Sequence, residues 1–122
     1  MDAINKMAPS PDRQPVKPVR VGVVGYGWWG QVISRHLASS SLFALHAVAE
    51  SAASVREQRA GDAQAMGFEF VSDADELTAR SDLDAVVLCT PHQSHAQQIV
   101  LAARAGKHVF CEKPLCLSLI HI

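Results

Sequence analysis

From Val19 onward the chain alternates between short β-branched runs and longer alanine-rich stretches whose apolar residues recur every three or four positions. The first kind of texture belongs to strands buried in a sheet and the second to helices that cover one. Val19 to Val24 reads as strand one. Trp28 to about Ser40 reads as a helix whose Val32, Ile33 and Leu37 share a sheet-facing side. Phe43 to Glu50 follows as strand two, and Ala52 to Met66 as one helix that Gly67 is placed to stop. Phe68 to Val71 predicts a short third strand and Asp73 to Arg80 a short helix with an acidic start. Asp84 to Thr90 predicts a fourth strand, His92 to Ala105 a helix ending at Gly106, and Lys107 to Cys111 a fifth strand. Strands and helices in strict alternation close as right-handed parallel crossovers. The expected fold is therefore α/β, a doubly wound parallel sheet that takes its ligand at the carboxyl edge.

Residues 1–18 break this texture with four prolines and no apolar run, and are expected to form a disordered leader, because such sequence does not repay its ordering entropy. They also lack the apolar core of a signal peptide or a membrane span. With 122 residues, 48% of them hydrophobic, one packed domain is expected, over residues 19–116. The 11 basic and 12 acidic residues give a formal charge of −1, which argues against nucleic acid or an anionic membrane as partner. Three cysteines, with Cys89 inside an apolar run, argue against a disulfide framework and for a reducing compartment, so a cytoplasmic location is expected.

The chemistry concentrates where strands end. In "VVGYGWWG" Gly25 allows a tight strand-to-helix turn, Gly27 lets backbone approach a pyrophosphate, and Gly30 lets the helix pack close to the strand. The helix N-terminus adds free N–H groups and about half a unit of positive charge. Glu50 follows about 20 residues on, at the end of strand two, where the dinucleotide fingerprint places an acid on the adenosine ribose. A carboxylate there accepts from both ribose hydroxyls and repels a 2′-phosphate, favouring NAD over NADP. Arg56 and Arg59 lie close in sequence and could soften that preference, although as helix residues they are expected to face water. Thr90 and Pro91 end strand four, and Glu112, Lys113 and Pro114 end strand five, all at the same edge. A lysine held there could set its ammonium between the nicotinamide ribose and a substrate hydroxyl, against charge that develops during hydride transfer.

From about Arg20 to Leu115, through "GYGWWG", Glu50, "TPHQSHA" and "AGKHVFCEKP" in that order and spacing, the chain resembles the N-terminal domain of the Gfo/Idh/MocA oxidoreductases. The resemblance implies a Rossmann-type domain binding NAD(P), from an enzyme that oxidises or reduces a sugar, cyclitol or related polyol. It implies that Lys113 is catalytic, and that Thr90, Pro91, His95 and Glu112 frame the nicotinamide pocket around the dinucleotide held by the Gly25–Tyr26–Gly27 turn, Gly30 and Glu50. Many members have T-P-N where this chain has His92, so an amide contact passes to an imidazole. An aromatic before the third glycine is frequent in the family, so Trp29 resembles a packing residue, while Trp28 either lines the cofactor cleft or a domain interface, or packs without touching ligand. Family enzymes carry a second domain with substrate contacts and an acid/base histidine, and usually assemble as homo-oligomers through it. The expectation is a fragment, inactive alone, whose polyol substrate binds only in the full-length protein.

Three other readings bear on the same residues. His92, His95, His108 and the cysteines cluster in one half of the chain, but no C-x-x-C pair accompanies them, and no metal site is expected. Cys111 beside Glu112 lacks the positive surroundings of a reactive thiol. A stand-alone nucleotide-sensing or interaction module would share the fold without needing Lys113, and the intact E-K-P motif argues for descent from an enzyme. At the end, Leu117 to Ile122 spells what CTG TCT CTT ATA CAC ATC encodes, a string matching a transposase adapter end used in preparing sequencing libraries. Those six residues are expected to be foreign to the natural protein, the alternative being a genuine short apolar tail.

Overall fold

The structure of the chain, a computed structural model, describes residues 17–90 and 95–111. Five strands, β1 (Val19–Val24), β2 (Phe43–Ala49), β3 (Glu69–Val71), β4 (Ala85–Leu88) and β5 (His108–Cys111), form one parallel sheet in the order β3-β2-β1-β4-β5. The order reverses after β3, so the topological switch point falls between β1 and β4, where doubly wound sheets open a crevice for ligand.

Two cores fill the two faces. On one, Val24, Ala47, Ala49, Val86 and Leu88 of the sheet pack with Leu77 of helix α4 (Ala74–Thr78) and Ala102 of α5 (His95–Arg104). On the other, Val23, Leu45, Val48 and Phe68 surround Tyr26, with Ile33 and Leu37 of α1 (Trp28–Ser39), Val55 of α2 (Ala53–Gln58) and Ala63 and Met66 of α3 (Ala60–Met66) against them. A packing glycine that the motif reading does not mark sits beneath α4: a Cβ on Gly22 would come within 2.7 Å of Leu83 Cδ1 and 2.8 Å of Leu77 Cδ2.

Strand two does not keep simple alternation. The register with β1 shifts between Val21 and Gly22, which pair with Leu45 and Ala47, leaving His46 as an extra residue. That bulge turns Leu45 and Val48, three apart, onto one face, and puts His46 Nδ1 3.5 Å from Asp82.

The single helix expected over Ala52 to Met66 is two, α2 and α3, broken at Arg59 with φ −107° and ψ 13°. Gly61, a poor helix former, stands in the first turn of α3, and the break brings Asp62 Oδ2 within 2.9 Å of the Tyr26 hydroxyl. Gly67 stops α3 as expected, in the left-handed conformation at φ 79°. Asp73 is the N-cap of α4 rather than its first residue, its side chain accepting from the Asp75 N–H. The fourth strand ends at Leu88, two residues short of the expected Thr90, and the start expected for the helix at His92 lies outside the described residues. Among the described residues no helix is long and apolar enough to cross a membrane.

Candidate functional site

At the carboxyl edge, the turns after β1, β2, β3 and β4 enclose a cleft of about 420 Å³ lined by Gly25, Tyr26, Gly27, Glu50, Ser51, Ser72, Asp73, Cys89 and Thr90, among others. Each side is fixed by backbone bonds that continue the sheet. Gly25 N–H donates to the Ala49 carbonyl at 2.7 Å, Glu50 N–H to Val71 at 2.9 Å, and Cys89 N–H to Val24 at 2.8 Å.

The three glycines divide into two kinds. Gly25 has φ +98°, a conformation only glycine adopts without strain, and a Cβ there would press on Cys89 O at 3.0 Å. A Cβ on Gly30 would collide with the Gly25 carbonyl. Both are required by the fold itself. Gly27 is different: it is the N-cap of α1 at an ordinary φ of −72°, and a Cβ on it would meet nothing within 4 Å. The exposed backbone at Gly27 thus faces open space at a helix end with no acidic residue in its first turn and no side-chain cap. This is a surface suited to an anion.

Glu50 stands beside that turn with its carboxylate aimed by two backbone donors. Oε1 accepts from Tyr26 N–H and Oε2 from Ala52 N–H, each at 2.9 Å. Every carboxylate oxygen keeps a second lone pair, so the group can still accept from two hydroxyls of a diol. The expectation that Arg56 faces water is overturned, because it is half-buried and its Nη1 donates to the Glu50 carbonyl at 2.7 Å. Arg59 is exposed, as expected.

Tyr26 belongs to the site by its backbone alone. Its ring is fully buried, edge-on to Phe70 at 5.3 Å and tilted against Phe68 at 5.7 Å, and its hydroxyl donates to Asp62. Burial, and then the bond and charge of Asp62, push the phenol up to about 12. Gln31 Nε2 donates to the Tyr26 carbonyl at 3.2 Å, tying the turn to α1. Tyr26 is therefore a positioning residue that holds the glycine turn against β2, β3 and α3.

The tryptophans leave the cleft. Trp29 lines a separate apolar groove of about 260 Å³ on the sheet face, with Ile33, Leu37, Val87 and Phe110, and so packs rather than lining the cofactor cleft. That groove has almost no polar atoms with which to orient a dinucleotide, so the site is assigned to the carboxyl-edge cleft. Trp28 is 75% exposed, stacks on Trp29 with ring centroids 5.8 Å apart, and does not line the cleft.

On the β4 side Thr90 lines the cleft, its hydroxyl donating to Gln98 Oε1 at 2.6 Å. His95 is buried, and its Nε2 donates to the Thr90 carbonyl at 2.8 Å, so it supports the edge through Thr90 instead of lining it. Ser51, Ser72, Asp73 and Gln98 are members of the site and its support that motif reading misses, and only the acidic start at Asp73 marks any of them in the sequence. Pro91, His92, Glu112 and Lys113 lie outside the described residues. Among the described residues no group of three or more His, Cys, Asp or Glu side chains could hold a metal ion.

The cleft's polar parts match the pyrophosphate and adenosine ribose of a dinucleotide: bare backbone at a helix N-terminus for the first, and a carboxylate beside it for the ribose diol. Comparison with known proteins agrees. Residues 19–122 match the Gfo/Idh/MocA oxidoreductase family, NAD-binding Rossmann fold. The inositol 2-dehydrogenase of Rhizobium meliloti (strain 1021) is 42% identical over 100 residues, which are 82% of this chain and 29% of that protein. The crystal structure of scyllo-inositol dehydrogenase from Lactobacillus casei with bound cofactor NAD(H) and scyllo-inositol superposes with a TM-score of 0.72 at 33% identity, over 83% of this chain and 29% of that one. A 3-ketoreductase from Actinomadura kijaniata in complex with NADP gives 0.72 at 34% identity, over 81% of this chain and 30% of that one. The chain thus spans about 30% of the length of the relatives it matches. It belongs to the Gfo/Idh/MocA oxidoreductase family, as an NAD-binding domain of the Rossmann fold.

Proposed function

We propose that the chain binds NAD in preference to NADP and serves as the cofactor half of an oxidoreductase acting on a secondary alcohol of a sugar, cyclitol or related polyol. The observation that carries the cofactor choice is the carboxylate of Glu50, held open beside the glycine turn by the N–H groups of Tyr26 and Ala52. It accepts from a 2′,3′-diol and opposes a phosphate in the same place. The polyol reading rests on the inositol dehydrogenases among the relatives.

The dinucleotide, when bound, supplies a nicotinamide ring that accepts or returns a hydride. The chain's residues bind and orient it: Gly27 and the α1 terminus take the pyrophosphate, Glu50 the adenosine ribose, and Thr90, backed by His95 and Gln98, the β4 side of the cleft. Pro91, His92 and Glu112 complete the nicotinamide end in this reading. Lys113, two residues beyond β5 in sequence, is the catalytic group, keeping positive charge by the substrate oxygen. The full-length enzyme works inside the cell as a homo-oligomer in the same reading.

Calorimetric titration of the chain and of Glu50→Ala with NAD and NADP tests the cofactor choice. Wild type should bind NAD more tightly, and the variant should lose that preference; tighter binding of NADP by wild type would sink it. The chain alone should form no measurable NADH from inositol, since it spans about 30% of the length of the inositol dehydrogenases it matches.

A further inference from the structure

We propose that Gln98 is a positioning residue for the nicotinamide half of the dinucleotide: it holds the Thr90 hydroxyl toward α5, so that the β4 wall of the cleft meets its ligand with the Thr90 methyl group. The proposal rests on the reading of the cleft as a dinucleotide site and adds how its β4 side is set.

Glu50 follows β2 and Thr90 follows β4, the two strands that flank β1. A dinucleotide with its adenosine ribose on Glu50 and its pyrophosphate over the glycine turn therefore carries its nicotinamide riboside toward Thr90. Threonine bears a hydroxyl and a methyl group on one Cβ, and rotation about χ1 decides which of them faces a neighbour. Both are accounted for here. The hydroxyl donates to Gln98 Oε1 at 2.6 Å. The methyl is directed at the glycine turn, where a Cβ built on Gly25 would stand 3.1 Å from Thr90 Cγ2. Gln98 itself does not line the cleft. It belongs to α5, which packs through Ala102 on the face of the sheet opposite α1. His95, three residues earlier and so on the same side of α5, donates from Nε2 to the Thr90 carbonyl at 2.8 Å. One turn of α5 thus fixes Thr90 by main chain and side chain together. Without the Gln98 acceptor, the hydroxyl turns toward the water of the open cleft and carries the methyl off the glycine turn.

The probes are NAD and ADP, titrated calorimetrically into wild type, Thr90→Ser, Thr90→Val, Gln98→Leu and the double variant Thr90→Val with Gln98→Leu. ADP reaches the glycine turn and Glu50 but lacks the nicotinamide riboside, so the NAD-to-ADP ratio of dissociation constants isolates the β4 side. Gln98→Leu and Thr90→Ser should each raise that ratio by at least about threefold, one by releasing the hydroxyl and the other by deleting the methyl. Thr90→Val, which keeps a methyl group in either orientation, should raise it less than Thr90→Ser does. In the double variant the change at position 98 should have no further effect on the ratio, since no hydroxyl remains to be held. A general loosening of the fold would weaken NAD and ADP together and would persist in the double variant. A Thr90→Val ratio as high as that of Thr90→Ser, or a Gln98→Leu ratio equal to that of wild type, would overturn the proposal and leave the cleft assignment standing. Binding of neither ligand by folded wild-type chain would overturn both.

Discussion

At the scale of single residues, the glycine turn separates what the fold needs from what a ligand needs. Gly25 and Gly30 are explained by the protein's own backbone, through a positive φ and a carbonyl that a methyl group would strike. Gly27 has neither reason, since its φ is ordinary and the space beside it is open. Gly30→Ala should therefore destabilise the chain by about 1–3 kcal/mol, because the collision is with backbone that cannot rotate away. Gly27→Ala should cost less than about 1 kcal/mol, the difference between two weak N-caps, while weakening NAD by at least about tenfold. Thermal melts and calorimetry on both variants check this. An Ala at position 27 that leaves affinity intact would show that the pyrophosphate does not approach there. All three positions are legible as one motif in the sequence, yet their division into kinds is not, because it depends on how closely Cys89 and Gly25 approach.

At the scale of elements, periodicity locates β1 to the residue and α1 to within one residue, since both follow a clean pattern. It fails where a tertiary contact outweighs the local pattern. The bulge at His46 is invisible to alternation, and the break at Arg59 interrupts a run of good helix formers. That break coincides with the bond from Tyr26 to Asp62, which fastens α3 to the glycine turn. A phenol held at about 12 in the folded chain titrates near 10 when unfolded. Its raised value contributes stability that is complete below pH 10 and is lost as pH rises through 10 to 12. Unfolding midpoints measured from pH 8 to 12 should fall for wild type across that window and stay flatter for Tyr26→Phe. At pH 8 the variant should be less stable by about 1 kcal/mol for the lost hydrogen bond. Parallel curves for the two proteins would show that Tyr26 does not titrate with unfolding.

At the scale of the whole molecule, the two edges of the sheet do different work. The carboxyl edge holds the cleft. The amino edge is laced with ion pairs that close the sheet beneath it: Arg20 meets Asp84 at 2.8 Å between β1 and β4, and Arg80 spans Glu69 and Asp82 at 3.0 and 2.9 Å. Lys107 Nζ adds bonds to the carbonyls of Arg80 and Leu83. The bond from Arg20 holds the Asp84 carboxyl well below the usual carboxylate range, and that from Arg80 does the same for Asp82. A depressed folded value contributes stability above the unfolded value near 4, lost as pH falls below it. Acid titration of the unfolding midpoint should therefore show wild type losing stability from about pH 4 downward. Asp84→Asn should start lower at pH 7, and its gap to wild type should narrow as pH falls from about 4 toward 2. A gap of constant size from pH 7 to 2 would contradict the pairing. The pair is exposed and screened, so the effect should shrink in high salt.

The order of strands and helices along the chain, the glycine turn and the acid that follows β2 are determined by the sequence alone. Each is encoded within a window of a few residues, where β-branching, glycine and helical spacing act directly on the backbone. The partnership of those windows is decided only by tertiary structure. Glu50 meets the glycine turn because β1 and β2 pair in parallel, which sets Tyr26 N–H against its carboxylate across 24 positions of chain. Arg56 turns from water to the Glu50 carbonyl because α2 begins three residues after Glu50, within reach of that carbonyl. Trp29, beside the motif in sequence, leaves it in space because α1 directs that side of its first turn toward the apolar groove on the sheet. Short-range preferences place residues on elements; which of them share a cleft follows from the packing of elements far apart in the chain.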